Sequence, residues 1–98
     1  MRTLIVKPPT NFDRVKAWPN PFKPKAGSTL KFTSLPSSAN LKIYTLSGKL
    51  ISSSSESGGE ISWNGRNIDG QSITTGLYIY IISDRLGNKK TGKIAITK

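Results

Sequence analysis

The chain has no cysteine and no histidine, and only five acidic side chains among 98 residues. Without cysteine there is no disulfide framework, no zinc–thiolate centre and no thiolate nucleophile. Without histidine the usual general base near neutral pH is missing. The acids are Asp13, Glu56, Glu60, Asp69 and Asp84. Glu56 and Glu60 flank Gly58-Gly59, where solvated carboxylates are the expectation and a catalytic pair would need a shaped pocket. No serine stands in a Gly-x-Ser-x-Gly elbow, and no glycine-rich loop ends in Gly-Lys-Ser/Thr. Nothing singles out a serine–lysine dyad. The inventory predicts a non-enzyme without cofactor or metal.

Long apolar runs are missing too. The longest, Leu77-Tyr78-Ile79-Tyr80-Ile81-Ile82, has six residues, far from the ~18 that suggest a transmembrane helix. No transmembrane segment is predicted, and the start has no signal-peptide core. Met1-Arg2 leads directly into a strand-like segment, as in a piece of a larger protein.

Negative charge is scarce and positive charge is not. Fifteen Lys and Arg give a net charge of +10, the first signature of a nucleic-acid binder. The distribution argues against that class. The basic residues are spread from Arg2 to Lys98, and no basic run exceeds two, as at Lys89-Lys90. The reading left is a solubilising face, or one that meets anionic surface glycans or lipid headgroups.

No stretch carries a helical period, whereas strand signals recur throughout. Residues 1–12 hold Leu4-Ile5-Val6 and then Pro8-Pro9, which ends any strand; they read as a linker or extra edge strand. The domain spans 13–98. Its first strand is predicted over 13–18. Pro19-Asn20-Pro21 then enforces extended or turn geometry, with Trp18 and Phe22 covering one end of the core. Leu30 and Phe32 alternate with polar neighbours, as do Leu41 and Ile43. Ser47-Gly48 is a hairpin signal leading into Lys49-Leu50-Ile51. Residues 52–59 read as a short edge strand fading into a flexible loop. Ile61 and Trp63 point inward, and a hairpin at Leu86-Gly87-Asn88 feeds a last strand through Ile94 and Ile96. The fold class is all-β: an immunoglobulin-like β-sandwich of about seven antiparallel strands.

The chain is organised around residues 63–82, WNGRNIDGQSITTGLYIYII. Asn64-Gly65 and Asp69-Gly70 are strong turn dipeptides, and Gly76 opens the apolar run, a central strand. Tyr78 matches the corner tyrosine of immunoglobulin domains and Tyr80 takes the place of the cysteine two residues later. Tyr78, Tyr80 and Ile82 would then face the core near Trp63. Leu77, Ile79 and Ile81 would face outward, with Tyr44 beside them, as an apolar contact patch. A one-residue slip would exchange the faces. Asn67, Asp69 and Gly70 fit the middle of an EF-hand loop. Gly65 and Gly76 stand where its first and last acidic ligands belong, so backbone-bonding turns are the expected reading.

The succession Trp63-Asn64-Gly65-Arg66-Asn67, Asp69-Gly70 and Gly76-Leu77-Tyr78-Ile79-Tyr80 resembles the immunoglobulin-like domain of flagellar hook-capping proteins. It is more similar still to the C-terminal sorting domains on cargo of the bacterial type IX secretion system. Trp18-Pro19-Asn20-Pro21-Phe22 and the final Gly92 to Lys98 belong to the same likeness, which covers residues 15–98 in register. The resemblance implies a non-catalytic sorting and surface-attachment module of a secreted bacterial protein, exported through periplasm and outer membrane. Its partners would be secretion-system proteins, or the passenger domain of the same polypeptide. It also implies recognition through the last residues: Lys93, Ile94, Ala95, Ile96, Thr97 and Lys98. Such a terminal strand could add to the sheet edge of a receptor, or simply complete the sheet as its seventh strand, and both can hold in one protein. The alternative is a generic immunoglobulin-like spacer or contact domain without a sorting role.

Overall fold

The computed structural model describes residues 15–24 and 28–97, so the segment 1–12, the residues Asp13 and Arg14, and Lys98 lie outside the described residues. Seven strands follow in order: β1 (Lys16–Trp18), β2 (Leu30–Thr33), β3 (Asn40–Thr45), β4 (Leu50–Ser55), β5 (Ile61–Trp63), β6 (Gly76–Ser83) and β7 (Lys89–Ile96). They form a three-stranded sheet ordered β1-β2-β5 and a four-stranded sheet ordered β4-β3-β6-β7. Every strand pair within the two sheets is antiparallel. The architecture is an all-β sandwich.

Alternation drives the assembly. Leu30 and Phe32 of β2, Leu41 and Ile43 of β3, Tyr78, Tyr80 and Ile82 of β6, and Ile94 and Ile96 of β7 all point into one core. Burying a large apolar side chain contributes about 1.5–3 kcal/mol, so these strands are held by packing more than by propensity. Two aromatic pairs bridge the sheets or seal their end. Phe32 meets Tyr80 edge-on with centroids 5.1 Å apart, and Phe22 meets Trp63 at 6.2 Å and a 44° tilt.

The fourth strand runs differently from a constant-type immunoglobulin domain, where it joins the sheet of the first, second and fifth strands. Here a tight turn at Ser47-Gly48 closes with Gly48 N–H donating to Thr45 O and Thr45 N–H donating to Lys49 O. The chain therefore folds straight back, and β4 pairs with β3. The serine run is accordingly strand as far as Ser55, longer than its composition suggests. The loop after it is tied down as well. The Glu56 carboxylate accepts hydrogen bonds from the Ser38 and Gly59 amides at 3.2 and 2.9 Å. Glu56 is thus a structural acceptor and not a free solvated carboxylate.

Trp18 departs from expectation. It is 51% exposed on β1, with the Lys31 ammonium 5.8 Å from its ring centroid. Of Trp18 and Phe22, it is Phe22 that covers that end of the core, at 1% exposure. Strand β1 is only three residues long, and Trp18 falls on its outward side, opposite Lys31.

Candidate functional site

The C-terminal strand is built into the fold from both sides. Along one edge it pairs with β6 over its whole length, from Ser83↔Lys89 to Gly76↔Ile96. Its alternation buries Ile94 and Ile96 completely, at 0% and 1% exposure. At Gly92 the side chain must be absent, because the Tyr80 ring lies across the backbone where a Cβ would stand. Burial pushes the Tyr80 hydroxyl pKa up, so the ring packs as a neutral phenol.

The other edge of β7 is also taken. Asn20 uses its side-chain amide as a substitute peptide group: Nδ2 donates to Lys93 O and Oδ1 accepts from Ala95 N–H, both at 3.1 Å. Two residues on, Phe22 N–H donates to Ala95 O at 2.8 Å and Thr97 N–H donates to Phe22 O at 2.9 Å. Phe22 and Ile96 form a parallel bridge. Residues 20–22 thus brace this edge without forming a strand, and the prolines, which lack N–H groups, leave donation to Asn20 and Phe22. In this fold residues 93–97 complete the sheet, paired with β6 along one edge and held by Asn20 and Phe22 along the other.

The turns around Trp63 anchor this brace. Trp63 is buried, and its indole N–H donates to Arg66 O at 2.9 Å. Gly65 is buried with φ of +80°, and a Cβ there would stand 2.9 Å from Pro24 Cγ and 3.1 Å from Phe22. Only glycine satisfies both conditions. Gly70 and Gly76 lie exposed at the next turn and at the start of β6. Within the turn, Asn67 Oδ1 accepts from the Asp69 and Gln71 amides, and the Arg66 guanidinium donates to Gly70 O. Asn67 Oδ1 is thus committed to the backbone of the turn, as the expected backbone-bonding turns require.

Tyr78 is a corner tyrosine in geometry as well as position: its hydroxyl donates to Thr74 O at 2.8 Å. Tyr78 and Tyr80 are 6% and 8% exposed, so the register faces them inward. Leu77, Ile79 and Ile81 consequently lie on the outer face of the four-stranded sheet. Across that face Tyr44 stands opposite both Leu50 and Ile79, Ile79 opposite Lys93, Ile81 opposite Lys42 and Thr91, and Leu77 opposite Ala95.

Of the residues expected to carry recognition, Lys93, Ala95 and Thr97 are the ones with accessible side chains. Ile94 and Ile96 belong to the core, and Lys98 lies outside the described residues. Sequence reasoning did not find the pairing role of Asn20, nor Leu50 and Lys42 as neighbours of the apolar face. The hairpin signal at Ser47-Gly48 could have indicated Leu50, since it sets Leu50 across from Tyr44. At the β6–β7 turn the Asp84 carboxylate accepts from the Asn88 side chain and from the Leu86 and Asn88 amides, which hold its pKa below the usual range.

Comparison with known proteins agrees with this architecture. No curated protein sequence matches the chain. A solved structure of PorZ, an essential surface component of the type IX secretion system of Porphyromonas gingivalis, superposes with a TM-score of 0.78 at 24% identity. The match covers 93% of this chain and 12% of PorZ, so the chain spans a small part of that protein's length and the likeness is one of fold. The profile of the secretion system C-terminal sorting domains matches residues 16–97, from the start of β1 to the residue after β7. The chain belongs to the family of secretion system C-terminal sorting domains, the sorting modules of type IX secretion.

Proposed function

We propose that the domain is a non-catalytic address label that delivers its passenger through the type IX translocon to attachment at the cell surface. The family match over residues 16–97 carries the reading. The geometry supports a label rather than a reagent. An open cleft of about 310 Å³ at the end of β7 is lined, among the described residues, by Pro24, Gly65, Ser72, Ile73, Ile96 and Thr97, none of them ionisable. A second, of about 390 Å³ between β4 and β5, offers Arg66 as its one charged group among serines and asparagines. Neither lining pairs an acid with a base. Recognition would then use the folded shape, with Lys93, Ala95 and Thr97 as the accessible side chains of the terminal strand.

The test is a fusion of a fluorescent passenger to this domain, carrying an export signal, in a bacterium with a functional type IX system. Passenger on the cell surface or in the medium is expected. Retention in the periplasm, equal to that of a passenger lacking the domain, would overturn the reading.

A further inference from the structure

The outer face of the four-stranded sheet has a chemistry of its own. Down its centre run Leu77, Ile79 and Ile81 of β6, joined by Tyr44, Leu50 and Ala95 on neighbouring strands. Leu77 and Leu50 are 49% and 38% exposed, while Ile79, Ile81 and Tyr44 are half-buried. An antiparallel sheet with one face in water ordinarily alternates polar residues there; β3 and β7 do so at Lys42, Thr91 and Lys93, and β6 does not. The charges on the same face are all positive: Lys42, Lys89 and Lys93 project from it. No acidic residue lies on β3, β4, β6 or β7. Glu56 and Asp84 sit in turns and spend their carboxylates on backbone amides.

We propose that this face docks a protein surface in which acidic side chains flank an apolar strip, and that the sorting strand is read from this face and not from its edge. The inference rests on the sorting reading given above. Charge complementarity selects the partner. A second copy of the domain would bring lysines against lysines. The chain's own N-terminal residues 1–14 carry Arg2, Lys7 and Arg14 against one acid, Asp13, and share the sign of the face. An anionic membrane matches the charge, but lipid binding buries an apolar face well below the headgroups, and here Ile79, Ile81 and Tyr44 are already half-buried. The closed edge points the same way. With residues 93–97 braced by Asn20 and Phe22, the side chains of Lys93 and Ala95 remain accessible, and both belong to this face.

The experiment uses the passenger fusion in the cell. Lys42→Glu with Lys93→Glu should lower export about tenfold or more, as reversal of charges at a complementary interface does. Lys42→Arg with Lys93→Arg should export normally. Lys16→Glu with Lys31→Glu, on the other sheet, should also export normally. Thermal melts of the purified domains must show the reversed variant folded; if it is not, the single Lys93→Glu variant takes its place. A photo-crosslinker at position 79 should join the domain to a polypeptide segment bearing Asp or Glu beside apolar residues. Export of the folded reversed variant at the level of the parent, while the parent fusion is secreted, would overturn the docking face and leave the sorting role standing. So would crosslinks confined to lipid, to a second copy or to a basic segment, or binding of the purified domain to phosphatidylglycerol vesicles that the Lys42/Lys93 reversal abolishes. Failure of the parent fusion itself to be secreted would instead refute the sorting role.

Discussion

The inner and outer faces of strand β6 are both apolar, yet they do different things. Inward, Tyr78, Tyr80 and Ile82 meet Phe32, Ile43 and Ile94 in a closed core. Outward, Leu77, Ile79 and Ile81 meet water and lysine stems. Folding requires only one apolar face per strand. The second is surplus to folding, which makes it informative about contact.

Removing a side chain from the closed side gives the largest effect. Trp63→Ala should cost about 3–5 kcal/mol, since the indole packs on Phe22 and closes the turn through Arg66 O. Chemical denaturation measures it; a loss near that of an exposed site, about 0.5 kcal/mol or less, would place the ring outside the core. Overfilling the same side comes next. Gly92→Ala should destabilise by about 1–3 kcal/mol, because the new methyl meets the Tyr80 ring. In a Tyr80→Leu background the penalty should shrink, and a double-mutant cycle reports that coupling; equal penalties in both backgrounds would sink the explanation.

The brace between the ends is weaker. Asn20→Ala deletes two hydrogen bonds in an exposed setting and should cost about 1 kcal/mol. Its signature is local: amide exchange at Ala95 should accelerate while that at Ile82 stays slow. Uniform acceleration would mean that Asn20 supports the whole fold. The smallest change belongs to the outer face. Ile79→Lys should shift stability by about 0.5 kcal/mol, the scale of a surface substitution. A variant that unfolds would erase the distinction between the two faces of β6.

The comparison also explains what was legible in the sequence. The inward register of Tyr78 and Tyr80 could be read because a period of two and a corner tyrosine are local patterns. Strand β4 was underestimated since serine has little strand preference of its own; its backbone is held by β3. The position of Trp18 was misjudged because a large aromatic side chain suggests the core, while the three-residue β1 turns it outward beside Lys31. Asn20 was visible as a motif residue but its work was not. Its partners lie 73 and 75 positions away, and a side chain that imitates a peptide group has no periodicity to reveal it.

The brace has a mechanical consequence. Phe22 lies parallel to Ile96, with the chain entering the brace at one end and β7 leaving it at the other. If a passenger pulls from the side of β1 while the far end of β7 is held, the hydrogen bonds of Asn20 and Phe22 to residues 93–97 are loaded in shear. They must then yield together and cannot be unzipped one by one. A domain that carries cargo would resist tension along the chain where residues 20–22 run beside its last strand.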